Sequence, residues 1–201
     1  YNTQRSTFFK TQLRALLLLA RERKQNPTSF QGSYAGAIGM VQFMPNIYRQ
    51  YAIAYQPNTP PNLMTNTADA IFSVANYFKN RGKWTPNGLV GLHYTNNTPP
   101  PESLLSKKGK PNHHVSYFTS NGLKMNMPAS KDDLAAIIKL DTGKDKKQNY
   151  WVVFSNFYAI MRYNPRINYA MAVYQLSLEI KKDYEKQQDT ASPSAAVSRK
   201  I

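Results

Sequence analysis

The chain has 201 residues, no cysteine and a formal net charge of +15, because 26 Lys and Arg face only 11 Asp and Glu. This length suffices for one compact domain with a core, or for one domain with a small annex. The absence of cysteine excludes disulfides, thiolate zinc sites and a cysteine nucleophile. A hydrophobic fraction of 41% excludes a disordered chain, and no apolar run approaches the ~20 residues of a membrane span.

The positive charge indicates an anionic partner, and charge alone leaves three classes open. These are nucleic acid, an acidic membrane surface, and an acidic polymer such as a cell-wall glycan with carboxylate-bearing peptides. No signal peptide is recognisable. The helical pattern begins within a few residues of Tyr1, from which we expect a processed or truncated product.

Helical periodicity predicts three helices in the first 82 residues, over 6–24, 45–51 and 67–82. Ser6 is the expected N-cap of the first helix, and Pro45 suits the first position of the second. A turn region rich in Gly, Ser and Ala separates these two helices. The third helix, capped by Thr67 and ended by Gly82, has a predicted apolar stripe of Ile71, Val74, Ala75 and Phe78.

The stretch 83–149 is dense in Pro, Gly, Asn and Lys, and its helical periodicity is weak. It is interpreted as an insertion of loops and small strands, with a short helical turn at 132–134. Nine Lys against four Asp between Leu104 and Tyr150 direct charge outward. The residues expected in short strands are Tyr117, Phe118, Ile137 and Ile138.

An apolar and aromatic segment, 150–163, is strand-like by residue type in its first half. After Asn164 and Pro165, a last helix is predicted over 166–186, and the tail from Gln187 is expected to be frayed. The predicted apolar face of this helix consists of Tyr169, Val173, Leu176 and Ile180.

None of the eleven carboxylates has the surroundings of a general acid, which needs a raised pKa from apolar burial or a like charge. Glu22 lies between two arginines, Asp69 starts a helix, and the others are solvated or capping by context. His113 and His114 are adjacent in a polar loop, which favours surface exposure over metal binding. No metal site, Ser-His-Asp site or phosphate loop is supported.

Neutral polar and aromatic residues around tight turns remain, and they suit sugar rings. For Gln42 and Asn156 the alternative is that they satisfy buried backbone groups, and for any single residue of the set the residues alone favour a structural role. The set comprises Ser33, Gln42, Asn156, Tyr158 and Tyr163.

Four ordered blocks resemble the membrane-bound lytic murein transglycosylase B family, and the opening 2–22 is similar to the helix that enters this region in that family. The blocks are GSYAGAIGMVQFMPNIYRQYA (32–52), DAIFSVANYF (69–78), YWVVFSNFYAIMRYN (150–164) and YAMAVYQL (169–176).

The resemblance implies a mainly α, lysozyme-like transglycosylase domain with a small, loop-rich α+β insertion. The expected division is a helical catalytic part (1–82), the insertion (83–149), a closing strand and helix (150–186) and a flexible tail (187–201). The implied reaction cleaves the β-1,4 bond between N-acetylmuramic acid and N-acetylglucosamine and leaves a 1,6-anhydromuramic end. One glutamate serves first as acid and then as base.

The same resemblance implies a glycan groove, in which Met40, Phe43 and Met44 shape the floor or wall and Arg5 contacts a muropeptide carboxylate. The residues expected to contact the sugars directly are Ser33, Gln42, Asn156, Tyr158 and Tyr163.

Two departures from the family pattern have consequences. The family glutamate lies upstream of Tyr1, so the chain alone is expected to be inactive, with the missing part on a longer product or a separate chain. The calcium loop of some family members corresponds to 54–66, which has no carboxylate, so no calcium site and no cofactor are expected.

The expected partner is peptidoglycan, and the expected location is the periplasm, with peripheral or lipid-anchored outer-membrane association through a missing N-terminus. The competing hypotheses are a murein-binding protein without catalysis and a basic nucleic-acid-binding protein, although no nucleic-acid module is recognisable.

Overall fold

The computed structural model describes residues 3–96, 98–124, 128–140 and 149–190, without the side chains of 3, 4, 189 and 190. The chain divides into two compact units between Arg81 and Gly82. The first unit contains α1 (Thr3–Glu22), α2 (Pro45–Tyr51) and α3 (Thr67–Tyr77), with a 3-10 turn at Pro27–Ser29. A π-helical turn at Phe78–Gly82 continues α3. None of the described helices is both long and apolar enough to cross a membrane.

Helices α1 and α2 pack together through a buried polar contact as well as apolar side chains. α1 begins at Thr3, so Ser6 is not its N-cap. Gln12 is buried, and its Oε1 accepts a hydrogen bond from the backbone N–H of Asn46 at 3.2 Å. This contact satisfies one of the free N–H groups in the first turn of α2.

The predicted buried face of α3 is wrong. Ile71 is 62% exposed, and the helix instead buries Ala70, Ser73 and Tyr77. The buried Ser73 hydroxyl is satisfied by the backbone of Ile53, whose N–H donates to it and whose carbonyl accepts from it. A search for apolar residues misses a helix face whose central position is a hydrogen-bonded serine.

The second unit is built on a four-stranded antiparallel sheet in the order β1–β4–β3–β2. The last two helices follow the sheet directly in sequence, and a 3-10 turn lies at Glu102–Leu104. The elements are β1 (Gly91–His93), β2 (His113–His114), α4 (Val115–Ser120), β3 (Leu134–Leu140), β4 (Asn149–Phe154), α5 (Ser155–Met161) and α6 (Ile167–Thr190).

The two central strands are buried on both faces, which explains why they are continuous apolar runs rather than alternating patterns. Ala135 and Ile137 of β3 pack into one apolar cluster with Val152. Ile138 packs on the other face, in a cluster that includes Phe157. The predicted strand character of Ile137, Ile138 and the first half of 150–163 is confirmed.

Other features of the second unit differ from the expectations. Tyr117 and Phe118 lie in α4, not in a strand, because Val115 and Phe118 bury one face of a single helical turn. The helical turn expected at 132–134 is absent, since Leu134 begins β3. In α6 only Ala170 and Met171 are fully buried among the residues whose side chains are described.

Strand pairing joins the predicted insertion to the predicted closing segment. β3 belongs to the predicted insertion and β4 extends into the predicted closing segment, yet the two strands pair from Ala135–Phe154 to Leu140–Asn149. Residues 83–149 and 150–186 therefore belong to one compact unit. α6 continues to Thr190, and the rest of the expected tail lies outside the described residues.

Candidate functional site

The loop 32–44 of the first unit is a folded pair of tight turns around a buried isoleucine. Ile38 forms backbone bridges with Gly32 and with Phe43, and its N–H donates to the Phe43 carbonyl at 2.7 Å. Both Ile38 and Phe43 are 3% exposed. These two apolar anchors hold the exposed part of the loop in one shape.

A glycine is required where this loop passes the chain near Leu63. Gly39 has φ +71°, and a Cβ there would lie 2.5 Å from the Leu63 carbonyl oxygen. That carbonyl accepts a hydrogen bond from Met40 N–H at 2.8 Å. The close approach therefore excludes any side chain at Gly39.

Gln42 is the strained residue of the loop. Its φ is +52°, a left-handed conformation that is unfavourable for a residue with a Cβ. Its Nε2 donates to the Gly39 carbonyl at 2.9 Å, which holds the side chain on the loop surface. Strain of this kind is found preferentially at functional positions.

The other predicted residues of this block differ in accessibility. Ser33 is exposed, and its Oγ accepts the N–H of Ala37 at 3.2 Å. Met40 is 48% exposed, Met44 is half-buried and Phe43 is buried. Ser33, Met40 and Gln42 are therefore accessible to a ligand, whereas the buried Phe43 supports the loop from the interior.

Arg5 lies on α1 beside an apolar cleft of about 590 Å³ that the loop also lines. The guanidinium lies 5.7 Å from the centre of the Phe9 ring. Ala35 and Gly36 form the loop side of the cleft. Within the first unit, the structure thus places Arg5 and the predicted sugar-binding loop around one cleft.

The side chain of Asn156 in the second unit forms hydrogen bonds with backbone groups. It is 1% exposed, and its Oδ1 accepts the N–H of Thr85 at 2.8 Å. Its Nδ2 donates to the carbonyls of Thr85 and Gly88, each at 2.8 Å. These contacts match the interpretation that the residues alone favour, in which the amide satisfies buried backbone groups. A direct sugar contact stays a prediction.

Tyr158 and Tyr163 are half-buried residues at and after α5. The Arg162 guanidinium lies 5.5 Å from the centre of the Tyr158 ring. The Tyr163 ring is parallel to that of Tyr169, with centres 6.5 Å apart. Tyr169 belongs to the predicted apolar face of the last helix, but it is 38% exposed and lines a cleft together with Tyr158.

Two carboxylates of the first unit are held as anions. A side-chain hydrogen bond from Arg49 lowers the pKa of Glu22. The pKa of Asp69 is lowered because its two oxygens accept the backbone N–H groups of Asn62 at 2.7 Å and Tyr55 at 2.8 Å. Both arrangements oppose the protonated form that a general acid requires.

The described residues contain no group of three or more His, Cys, Asp or Glu that could hold a metal ion. His113 stacks on Tyr117 with ring centres 4.1 Å apart, whereas His114 Nδ1 lies 2.7 Å from the Asp132 carbonyl oxygen. The stretch 54–66 carries no carboxylate, and the nearby Asp69 already accepts two backbone hydrogen bonds. The residues present therefore do not fit a calcium loop.

The helical first unit, with its tight glycine loop, and the sheet-and-helix second unit together define a lysozyme-like transglycosylase fold. Residues 1–178 match the transglycosylase SLT domain family. The chain belongs to this family.

Individual relatives agree with this assignment. The membrane-bound lytic murein transglycosylase B of Escherichia coli is 37% identical over 173 residues, which cover 86% of this chain and 46% of the relative. The structure of soluble lytic transglycosylase SltB1 from Pseudomonas aeruginosa superimposes with a TM-score of 0.82 at 36% identity, covering 92% of this chain and 60% of that one.

The Escherichia coli lytic transglycosylase Slt35, solved in complex with calcium, gives a TM-score of 0.79 at 35% identity, covering 91% of this chain and 56% of that one. The chain thus spans roughly half the length of these relatives. The fold class expected from the sequence, a lysozyme-like transglycosylase domain, is confirmed.

Proposed function

We propose that the protein acts on peptidoglycan as a lytic transglycosylase, cleaving the bond between N-acetylmuramic acid and N-acetylglucosamine with formation of a 1,6-anhydromuramic end. The observation that carries the proposal is the loop 32–44. It presents the strained Gln42 and exposed Ser33 on a loop anchored by the buried Ile38 and Phe43, in a chain that is 37% identical to a murein transglycosylase.

The proposed reaction needs one carboxyl group. Its proton passes to the glycosidic oxygen as the bond from C1 to that oxygen breaks. The carboxylate then takes the proton from the sugar's own 6-hydroxyl, whose oxygen bonds to C1. One group serves both steps because the nucleophile belongs to the same sugar.

Two surfaces are candidates for holding the sugars, one in each unit. In the first unit, the Ser33 hydroxyl and the Gln42 amide supply hydrogen bonds, Met40 supplies an apolar contact and Arg5 a positive charge. In the second unit, the rings of Tyr158 and Tyr163 supply flat apolar faces to the sugar rings, and Asn156 fixes the turn at 85–88.

The catalytic glutamate is proposed to lie on polypeptide outside this sequence, either on the same product or on a separate chain. The pKa values of Glu22 and Asp69 are lowered by their hydrogen bonds, which argues against both as acids. In addition, α1 exposes Leu13 at 57% and Leu17 at 50%. An apolar helix face of this kind is suited to packing against further polypeptide.

The test compares the 201-residue chain with the product of the full reading frame, each incubated with purified murein. We expect anhydromuropeptides, lighter by one water than the products of hydrolysis, from the full-length protein and none from this chain alone. Their release by this chain would overturn the proposed position of the glutamate. Hydrolytic products from the full-length protein would overturn the proposed reaction.

A murein-binding protein without catalysis is the second candidate, because the exposed Ser33, Met40 and Gln42 of the loop can hold a glycan without a catalytic carboxyl group. It predicts that the full reading frame binds sacculi and releases nothing. For either function we propose a periplasmic location with peripheral or lipid-anchored association with the outer membrane. The support is a relative whose name describes it as membrane-bound.

A further inference from the structure

The second unit contains a cleft of about 760 Å³ between the segment 107–110 and the region where α5 gives way to α6. None of the described residues lining it is acidic. Its charged groups are all cationic and come from Lys107, Lys108, Lys110, Arg162 and Arg166.

The lysine segment is fixed at both ends to β3. The N–H of Ser106 donates to the Ile137 carbonyl at 2.7 Å, and the N–H of Asn112 donates to the Ala135 carbonyl at 3.2 Å. The three lysines are therefore carried by backbone that is tied to a buried strand at each end.

A glycine presses this segment against the helices. Gly109 is buried and has φ +60°, and a Cβ there would lie 3.0 Å from Met161 Sδ and 3.2 Å from Ile167 Cγ1. A side chain at this position would be strained by the positive φ and would crowd Met161 and Ile167. In the sequence Lys-Lys-Gly-Lys, the buried Gly109 thus lies against the helices while the three lysines stay exposed.

Four of the five cations that line the cleft have no salt bridge to a carboxylate of the described residues. Among the residues that the structure describes, neither the three lysines nor Arg166 forms a salt bridge. The carboxylates of Glu179, Asp183 and Glu185 instead pair with lysines along α6 itself.

Apolar side chains beside the cations distinguish this cleft from a plain basic patch. Met161 and Ile167 lie beneath Gly109, and the rings of Tyr158 and Tyr169 also line the cleft. A phosphate polymer needs only the charge. A peptide with several carboxylates and short aliphatic side chains uses both the charge and the apolar floor.

We propose that this cleft binds the carboxylates of the peptides that murein carries on its muramic sugars, an assignment that rests on the function proposed above. Tyr158 belongs to both the predicted sugar-binding surface of the second unit and the lining of the cleft. The Tyr163 ring, stacked on Tyr169, lies next to the same wall. A peptide leaving a sugar held at these tyrosines reaches the cationic groups directly, and the arginine guanidinium suits a carboxylate in two-pronged geometry.

The test uses calorimetry at low salt to measure how the 201-residue chain binds two ligands. One is a muramyl disaccharide with its tetrapeptide, and the other is the same disaccharide without peptide. The variant combines Lys107→Ala, Lys108→Ala and Arg166→Ala. The matched control combines Lys181→Ala, Lys182→Ala and Lys186→Ala, which removes three charges from the exposed face of α6. Thermal unfolding checks that both variants fold.

We expect the peptide-bearing sugar to bind more tightly than the peptide-free one. The cleft variant should lose roughly three- to tenfold of that affinity, as for two or three solvent-screened charge pairs, and the control should lose little. Equal loss in both variants, or equal binding of the two sugars, overturns the inference and leaves the proposed function standing.

Two further outcomes also decide the matter. If neither sugar binds, the proposed function fails and this inference fails with it. If a linear polyphosphate binds in a way that the cleft variant abolishes, while the tetrapeptide adds no affinity, the cleft is a phosphate site and the inference is wrong.

Discussion

At the scale of single residues, Gln42 offers a way to separate strain from ligand contact. Gln42→Gly and Gln42→Ala both remove the amide, but only glycine relieves the left-handed conformation, which costs about 1 kcal/mol for a residue with a Cβ. We therefore expect Gln42→Ala to be about 1 kcal/mol less stable than Gln42→Gly in urea unfolding. Both variants should bind murein more weakly than the parent chain to a similar degree. If both bind as well as the parent, the amide has no part in recognition.

The hydrogen bonds of Asp69 predict that its contribution to stability depends on pH. Its carboxylate accepts two backbone N–H groups, and its pKa is lowered mainly by these bonds. Because the folded pKa lies below the unfolded one, its stabilisation is present above about pH 4 and is lost as the pH falls through the folded pKa. Asp69→Asn should lower the melting temperature at pH 7, and the difference from the parent chain should shrink towards pH 2.

The matched control for this prediction is Asp183→Asn, because Asp183 is an exposed partner of Lys186 on α6. Exposed pairs of this kind contribute little to stability, so this variant should melt close to the parent at both pH values. A constant difference between Asp69→Asn and the parent from pH 7 to pH 2 would contradict the assigned role.

The stretch 54–66 predicts that calcium does not change the thermal stability of the chain. It contains no carboxylate, and Ca²⁺ sites in proteins use several anionic oxygens. Adding millimolar Ca²⁺ should leave the melting temperature unchanged, with Mg²⁺ as the control for ionic effects. A rise with Ca²⁺ alone that a chelator reverses would show a site that the described side chains do not reveal.

Elements whose local signals are strong could be predicted from the sequence, and their packing faces could not. The fixed φ of Pro45 gives the start of α2, and the apolar run of β4 gives a strand. The buried face of α3 is centred on Ser73, whose hydroxyl is hydrogen-bonded to the backbone of Ile53. A pattern of apolar residues cannot reveal these hydrogen bonds. The apolar stripe predicted for α6 is largely exposed, with Leu176 at 61%.

The candidate site shows the same limit. Resemblance identifies the loop block with Ser33 and Gln42, and the structure adds that backbone hydrogen bonds cross the loop and that Gln42 has a positive φ. Residue types give no means to decide whether Asn156 contacts a ligand or the backbone, because both uses need an amide. The cationic cleft is not visible in the sequence because it joins Lys107 and Arg166, which are far apart along the chain. Hydrogen bonds from Ser106 and Asn112 to β3, and the close contact of Gly109 with Met161 and Ile167, bring them together.

The net charge of +15 predicts that the proposed attachment to murein depends on salt. Murein peptides carry carboxylates, and the screening length falls from about 10 Å at 0.1 M salt to about 3 Å at 1 M. Retention of the chain on isolated sacculi should therefore fall steeply as salt rises. Contacts from neutral groups such as Ser33 and Gln42 are screened little, so a weaker saturable component should remain at high salt.

The salt series also separates glycan binding from nucleic-acid binding. At about 1 M salt the remaining component should be removed by Gln42→Gly and should resist competition by duplex DNA, whose binding relies on released counterions and collapses with salt. The measurement is co-sedimentation with sacculi, with lysozyme-digested murein as the specific competitor. If DNA displaces the chain at high salt, or if no saturable component survives, the positive charge is the whole basis of binding and the neutral loop does not recognise sugar.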